Sequence, residues 1–358
     1  MEWNKCKLPL EILLCIAEFL CIADLAQFIH AIPVVGQQLP TKQLRQQGGN
    51  GDTVLHFLAS RGHSDTIALF AEPFRILHTP NIDGMTPLHI AAVHSHYLTV
   101  ALLLNIGASI SALDNHNDSP LHLAIRAHAY TYTRTSEPVT QLLLSHHADP
   151  SLPNIDGFTP LHEAVMSHQS PDAVQRLLDA GADVNAPAGR RRWTPLFYAV
   201  LFSHQSPGEI LSSAGADIHA APRDTQQHLF SRERGMAIVA VLLRAGPDLE
   251  VLDKEGRTVL METARLGADD AMSLLLKAGA SVHARDDQRR TALGHAVMRG
   301  NRSTAKRLLE AGTDLWTRDE SGRDVVELAL WYGHDDMAKV MQRAQRLRPW
   351  GYWRDRAG

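Results

Sequence analysis

Residues 83–92 read Asp-Gly-Met-Thr-Pro-Leu-His-Ile-Ala-Ala, and residues 156–164 repeat this stretch as Asp-Gly-Phe-Thr-Pro-Leu-His-Glu-Ala. Weaker copies occur at residues 117–122 and 192–196. A Thr or Ser directly before Pro is typical of a helix start, because the hydroxyl can accept a backbone hydrogen bond and Pro has no N–H to leave unpaired there. The stretch therefore predicts a helix that begins at the Pro and recurs along the chain.

The Thr position of this motif advances along the chain in nearly equal steps. The successive intervals are 33, 33, 40, 35, 31, 33, 33 and 33 residues. A Gly often follows 21 residues after the Thr, as from Thr86 to Gly107, and predicts the turn that ends a second helix. The positions that share this spacing are Thr53, Thr86, Ser119, Thr159, Thr194, Thr225, Thr258, Thr291 and, degenerately, Asp324.

The 33-residue period and the Thr-Pro-Leu-His-x-Ala signature resemble the ankyrin-repeat family. The resemblance covers residues 48–341, about four-fifths of the chain, and about nine units fit there. It implies an all-α solenoid of helix-turn-helix units with finger loops, in which apolar faces are buried only between neighbouring units. It also implies that the chain is a protein–protein interaction module.

Three units depart from the regular pattern. The third carries seven extra residues within residues 127–138, which predict a surface loop that either has no role or contributes to binding. The sixth keeps only Thr225 and His228 of the motif, so we expect looser stacking there. The ninth, which begins near Asp324, is weak and is interpreted as a terminal cap.

The first 47 residues form a separate apolar segment. Residues 8–20 read Leu-Pro-Leu-Glu-Ile-Leu-Leu-Cys-Ile-Ala-Glu-Phe-Leu, and residues 23–29 continue as a second helix. This pattern resembles an F-box, although the basic third helix usual in that family is missing. The resemblance implies docking to a Skp-type adaptor and, through it, to the cullin complex of an SCF ubiquitin ligase. The residues that would carry this docking are Leu8, Pro9, Ile12, Ile16, Leu20 and Leu25.

The same segment has a second interpretation, as a cap on the first repeat. Its apolar residues wrap more than one face of a helix, and such a helix needs burial on more than one side. Two functions therefore stay open. The chain is either the substrate-recognition subunit of a ubiquitin ligase, or an ankyrin scaffold or inhibitor with no ubiquitin role.

The histidines of this sequence do not form a catalytic or metal-binding pattern. His56, His89, His122, His162 and His228 occupy the fourth position of the motif, where the ring can bond the capping hydroxyl, so we expect them to be structural. The other histidines lack a Cys or carboxylate set at the spacing of a zinc site. The sequence also has no nucleophile elbow and no glycine-rich phosphate loop. We predict no enzyme activity, metal, cofactor or small-molecule substrate.

Contacts to a target protein are expected on finger tips and concave helix faces. The strongest candidate is the run Arg190-Arg191-Arg192-Trp193, in the finger between the fourth and fifth units. This run is either a solvated tip or a contact for an acidic partner. The predicted target-binding residues are His116, Arg190, Arg191, Arg192, Trp193, Leu201, Phe202, Arg223, Lys254, Arg289 and Trp331.

The C-terminal tail, residues 342–358, combines arginines with Trp350, Tyr352 and Trp353. Three interpretations remain open for its aromatic residues. They cover the exposed face of the last unit, they bind a partner peptide, or they stack on single-stranded nucleic acid.

Charge and hydropathy limit the classes of partner. The formal net charge of −4 gives no global field that would attract nucleic acid or an anionic membrane. Glu11, Glu18 and Asp24 interrupt the apolar N-terminal run, so no stretch has the length of a membrane-spanning helix. The three cysteines lie within the first 21 residues, in neither a disulfide nor a zinc pattern. We expect a soluble protein of the cytoplasm, the nucleus or both.

Overall fold

The structure is a computed structural model that describes residues 17, 20–32, 35, 46–68, 76–130, 136–167, 170–204 and 232–347. In these ranges the chain forms helices joined by turns and extended fingers, and its one extended pairing is an isolated bridge between Ala188 and Trp193. None of the helices described is long and apolar enough to span a bilayer. The all-α repeat architecture predicted from the sequence is confirmed.

The chain divides into two compact lobes. The N-terminal lobe comprises residues 1–169 and 179–182, and the C-terminal lobe comprises residues 170–178 and 183–358. The helices up to residue 166 are α1 (Ile22–Ala31), α2 (Val54–Ser60), α3 (Ser64–Ala68), α4 (Pro87–Val93), α5 (Tyr97–Asn105), α6 (Pro120–Tyr130), α7 (Ser136–Ser145) and α8 (Pro160–Met166). Those that follow are α9 (Pro171–Asp179), α10 (Pro195–His204), α11 (Arg232–Arg244), α12 (Val259–Leu266), α13 (Asp269–Lys277), α14 (Ala292–Met298), α15 (Arg302–Glu310), α16 (Val325–Trp331) and α17 (Asp335–Leu347).

The first helix of each repeat begins at the predicted cap. Thr86 precedes α4 in an extended conformation, and it forms a capping box with His89. Asp324, the degenerate copy of this position, accepts hydrogen bonds from the backbone N–H groups of Val326 and Glu327 at the start of α16. A side chain that satisfies these N–H groups stabilises the helix, typically by about 1 kcal/mol. The Thr-Pro motif therefore sets the helix starts, as predicted.

In the N-terminal lobe, the motif histidine of three repeats links the repeat to the following finger. Nδ1 of His89 accepts the Thr86 backbone N–H over 3.1 Å. The ring hydrogen is therefore on Nε2, which donates to the Asp118 carbonyl oxygen over 3.1 Å. The same two contacts are made by His56, which reaches the Met85 carbonyl, and by His122, which reaches the Phe158 carbonyl.

These three histidines are held in the neutral state. Burial lowers the pKa of His56, His89 and His122 below the ordinary value of 6.5, and outweighs the carbonyl hydrogen bonds, which raise the pKa. Protonation would place a hydrogen on Nδ1, which already faces a backbone N–H donor. The link between repeats therefore requires the uncharged ring.

Successive fingers are also joined by a row of backbone hydrogen bonds, which we call the finger ladder. In each rung, the residue four positions before the cap donates its N–H to the preceding finger; the Asn115 N–H reaches the Asp83 carbonyl over 2.9 Å. Gly84 is required beside this rung, because it has φ +78° and a Cβ there would lie 2.6 Å from the Asn115 nitrogen. The other rungs within each lobe are Ile82 to Asn50, Ile155 to His116, Lys254 to Arg191, Asp287 to Glu255 and Glu320 to Gln288.

One rung in the C-terminal lobe joins two fingers that the sequence spacing had placed two units apart. The sequence spacing placed two units between Thr194 and Thr258, yet the Lys254 N–H donates directly to the Arg191 carbonyl over 2.9 Å. One helix pair, α10 and α11, is described between these fingers, and α10 also packs against α12. Eight helix pairs are therefore described, against about nine predicted. Thr225 and His228 of the predicted sixth unit lie outside the described residues.

Close packing of α10 and α11 explains how these two helices form one repeat. Every residue of α10 from Pro195 to Ser203 is buried, so this helix needs neighbours on all sides. Gly235 in α11 lies against Ser203, where a Cβ would come within 2.8 Å of the Ser203 Cα. A glycine at this contact lets the two backbones approach. Helix α11 therefore serves as the second helix of the repeat that α10 begins.

We expect the stability of the protein to fall as the pH drops through 6.5. Because the folded pKa values of His56, His89 and His122 lie below 6.5, the unfolded chain binds more protons between the folded and unfolded values. Each histidine then removes at most about 1.4 kcal/mol of unfolding free energy per pH unit. Urea unfolding monitored by circular dichroism, between about pH 5 and pH 7.5, measures this slope.

The matched control for this pH dependence replaces two of the rings by an amide. The double variant is His89→Gln, His122→Gln. Gln at this position also completes a capping box, so the capping contact is kept. The amide side chain does not titrate, so the contribution of these two rings to the pH dependence is removed. The pH slope of the variant should be smaller than that of the natural sequence. An equal slope would show that other groups cause the pH dependence.

Candidate protein-binding surface

The structure describes two of the six predicted adaptor-binding residues. Leu8, Pro9, Ile12 and Ile16 lie outside the described residues. Leu20 is half-buried, and Leu25, on α1, is completely buried.

Helix α1 packs onto the first repeat. It buries Ile22, Leu25 and Ile29 and contacts α2. His30 lies at the end of this helix, and its Nδ1 is 2.7 Å from the Thr66 hydroxyl. The prediction that Leu25 contacts an adaptor is therefore wrong for this conformation, because the apolar face that carries Leu25 already covers α2. Helix α1 thus lies against the first repeat, which is the position that the cap interpretation gave it.

The predicted arginine run occupies the tip of a tight hairpin. Ala188 and Trp193 exchange two backbone hydrogen bonds of 2.9 and 3.0 Å, and the turn between them closes through Gly189. Arg190 and Arg192 are exposed at this tip. Arg191 is half-buried, and its guanidinium carbon lies 5.1 Å from the centre of the Trp193 ring. Two of the three arginines are thus free to meet a partner.

Three apolar residues predicted to contact a target are buried instead. Trp193 is 1% exposed, and its indole Nε1–H donates to Asp253 Oδ2 over 3.2 Å. Leu201 and Phe202 are buried within α10. The prediction was wrong for Leu201 and Phe202 because every residue of α10 from Pro195 to Ser203 is buried, and it was wrong for Trp193 because its ring is buried beside Asp253. Trp193 instead anchors the hairpin to the next finger.

A buried ionic network extends from this anchor. Asp253 accepts hydrogen bonds from Nε and Nη2 of Arg257 over 3.0 and 2.7 Å. Arg257 also pairs with Glu262 over 3.1 Å, and Glu262 pairs with Arg265 over 2.6 Å. Burial raises the pKa of Asp253, but the hydrogen bonds from Arg257 and Trp193 outweigh it, so the pKa lies below its ordinary value. The carboxylates of this network are therefore ionised and neutralised internally.

The same Asp–Arg arrangement recurs in the next two fingers. Asp286 accepts from Nε of Arg290 over 2.9 Å, and Asp319 accepts from Nε of Arg323 over 3.0 Å. Burial opposes ionisation of Asp286, but a hydrogen bond from His295 and those from Arg290 lower the pKa of its carboxyl to about 2. Sequence reasoning missed these pairs. The signal was an Asp five residues, and an Arg one residue, before the cap.

The remaining predicted target-binding residues are exposed or undescribed. Lys254 and Arg289 are exposed on successive fingers of the C-terminal lobe, and His116 is exposed on a finger of the N-terminal lobe. Trp331 is 71% exposed, and the guanidinium carbon of Arg323 lies 5.0 Å from the centre of its ring. Arg223 lies outside the described residues. The Lys254–Arg191 rung brings Lys254 next to the arginine hairpin.

The predicted insertion and tail are also described in part. Helix α6 extends to Tyr130 and α7 begins at Ser136, so residues 131–135 of the insertion lie outside the described ranges. Helix α17 continues to Leu347, past the predicted domain boundary at residue 341, and residues 348–358 of the tail are not described. No group of three or more His, Cys, Asp or Glu side chains is positioned to hold a metal ion in the parts of the chain that are described.

The Asp253 network predicts a large effect of one uncharged substitution. Asp253→Asn should lower the free energy of unfolding by about 2 to 3 kcal/mol, because it removes one of the carboxylates that neutralise the buried Arg257 guanidinium and weakens the charged hydrogen bonds between them. Urea unfolding of the full chain measures this change. The control is Asp336→Asn, which removes an ion pair with Arg302 in which both side chains are 65% exposed. An unfolding midpoint that shifts equally in both variants would contradict the assigned role of Asp253.

A family model supports the repeat architecture over most of the chain. The model "Ankyrin repeats (3 copies)" matches residues 22–114, 78–135, 121–221 and 228–319. The first match begins at Ile22, the first residue of α1, so the capping helix falls within the matched region.

Known proteins with this architecture resemble the chain. The nuclear factor NF-kappa-B p105 subunit of Gallus gallus is 30% identical over 236 residues, which cover 63% of this chain and 23% of that protein. The B-cell lymphoma 3 protein of Homo sapiens is 32% identical over 222 residues, which cover 59% and 47%, respectively. The matched regions thus span about a quarter and about a half of these two relatives' lengths.

A solved structure agrees with the sequence matches. The crystal structure of the ankyrin repeat domain of Bcl-3, described as a unique member of the IkappaB protein family, is 26% identical to this chain. It aligns with a TM-score of 0.55 over 72% of this chain and 99% of that one. Together with the repeat period and the finger ladder, these matches show that the chain belongs to the ankyrin-repeat family.

Proposed function

We propose that this protein is an ankyrin scaffold or inhibitor that binds a target protein through its fingers and carries out no catalysis. The supporting observation is the placement of exposed cations. Arg190 and Arg192 on one finger, Lys254 on the next and Arg289 on the one after are exposed, and no ion pair is described for them. The buried polar groups of the same fingers are already paired within the protein, so these tips remain for a partner.

The relatives suggest which protein the target is. Their names include a nuclear factor NF-kappa-B subunit and a member of the IkappaB family. We therefore propose an NF-κB-type transcription factor as the target, and the cytoplasm or nucleus as the place of action. The residues that we propose to contact this target are His116, Arg190, Arg191, Arg192, Lys254, Arg289 and Trp331.

A ubiquitin-ligase role has less support. It would require the N-terminal segment to offer its apolar face to a Skp-type adaptor. Helix α1 instead covers α2 with the face that carries Leu25. The proposed role of α1 is therefore to close the end of the solenoid, where an end repeat needs a protected outer face.

Parallel titrations of the full-length protein test the proposed function. Biolayer interferometry with a purified NF-κB-type factor and, separately, with a Skp-type adaptor should detect binding of the factor and none of the adaptor. The double variant Arg190→Glu, Lys254→Glu should weaken binding of the factor by about tenfold or more, because like charges would then face the target. The control is Arg343→Glu, Arg346→Glu, which makes the same change in net charge on exposed positions of α17.

Two results would contradict the proposed function. Binding of the adaptor without binding of the factor would restore the ubiquitin-ligase interpretation. Equal affinity of the factor for both double variants would show that the fingers of the C-terminal lobe are not its binding surface.

A further inference from the structure

We propose that two fingers of the C-terminal lobe, residues 187–193 and residues 250–256, form one binding site for an acidic segment of the target protein. This inference rests on the proposed function, and it names the chemistry of the partner and the residues that recognise it. We call the site the basic double finger; its cationic residues are Arg190, Arg192 and Lys254.

The two fingers are direct neighbours although they are far apart in the sequence. The Lys254 N–H bonds the Arg191 carbonyl, which makes a rung between residues 63 positions apart. The other rungs of this lobe, such as Asp287 to Glu255, join residues 32 positions apart. A regular repeat between the two fingers would insert another finger and separate their cations. Their adjacency is what places Arg190, Arg192 and Lys254 in a single cluster.

The positive charge of this cluster is not neutralised by the neighbouring acids. Asp253 and Glu262 are buried and are paired with Arg257 and Arg265. Glu255, on the same finger as Lys254, also pairs with Arg257 over 3.1 Å. The tip cations have no ion pair within the described ranges. The site therefore carries a local positive charge on a chain whose net charge is negative.

The hairpin holds its arginines in a fixed frame. Trp193 is buried at its base and is hydrogen-bonded to Asp253, and an isolated bridge between Ala188 and Trp193 closes the turn. Arg192 adopts φ +56°, a left-handed conformation that the tight turn imposes. A site whose backbone is already ordered loses less conformational entropy when a ligand binds. The geometry is thus suited to recognition by side chains at defined positions.

Carboxylates spaced along a peptide fit this site better than the phosphates of a nucleic acid. A guanidinium group binds a carboxylate through two parallel hydrogen bonds. Asp287 is exposed on the finger that follows the second one, and it would repel a dense row of phosphates. An acidic peptide can place its charged residues opposite the arginines and a neutral residue opposite this acid.

Fluorescence anisotropy with the full-length protein tests the site. The probes are a fluorescein-labelled peptide of alternating Glu and Gly, and a labelled single-stranded oligo-dT. We expect the peptide to bind more tightly than the oligonucleotide. The variant Arg190→Glu, Arg192→Glu should weaken peptide binding by about tenfold or more, and Lys254→Glu should also weaken it, whereas Arg343→Glu, Arg346→Glu should leave it unchanged.

Three results would overturn the inference. Tighter binding of oligo-dT that Arg190→Glu, Arg192→Glu weakens and Arg343→Glu, Arg346→Glu does not would mark the site as one for polyphosphates. Peptide binding that is unaffected by Arg190→Glu, Arg192→Glu would place the peptide elsewhere. A Lys254→Glu variant with natural affinity would show that the second finger does not contribute.

Competition separates this inference from the proposed function. If the NF-κB-type factor binds and the Glu-Gly peptide does not displace it, the proposed function stands and the acidic-segment inference fails. If the peptide binds to the basic double finger and the factor does not bind at all, the site stands and the identity of the proposed target is wrong.

Discussion

Hydrogen bonding between successive fingers is the constraint on which this structure depends. Each finger leaves backbone N–H and C=O groups that its own repeat cannot satisfy, and the neighbouring finger provides the partner, as Asn115 does for Asp83. Buried groups left without a partner would cost about 1 to 3 kcal/mol each. The order of the fingers therefore determines which repeats are neighbours, and it also determines which side chains share a surface.

The two lobes reinforce the ladder with different chemistry. In the N-terminal lobe, a neutral ring such as His89 reaches the next finger through one hydrogen bond. In the C-terminal lobe the motif histidine is replaced, by Met261 in one repeat and Gly294 in the next, and buried Asp–Arg pairs stabilise the fingers instead. In the first arrangement the rings must stay uncharged, and burial lowers their pKa values. The second uses the finger acids internally, which leaves cations at the finger tips without partners.

The sequence was sufficient to predict the helix starts and the repeat period. The Thr-Pro caps depend only on residues a few positions away, and the period can be counted directly in the sequence. It could not predict which fingers are neighbours in the C-terminal lobe, because Gly215 and Thr225 continue the regular spacing and the degenerate motif of the sixth unit predicted only looser stacking there. Burial of Trp193 and Leu25 was also missed. The sequence does not distinguish an apolar residue that packs within its own chain from one that contacts a partner protein.

Distances between spin labels can measure whether the fingers that carry Arg190 and Lys254 are adjacent. In a cysteine-free background, labels at Arg190→Cys and Lys254→Cys are compared with two reference pairs measured by pulsed electron paramagnetic resonance. Lys254 and Asp287 lie on neighbouring fingers, and Lys254 and Glu320 lie two fingers apart. The structure predicts that the Arg190–Lys254 distance equals that of the neighbouring pair. A distance equal to that of the Lys254–Glu320 pair would place another finger between Arg190 and Lys254 and contradict the adjacency of their fingers.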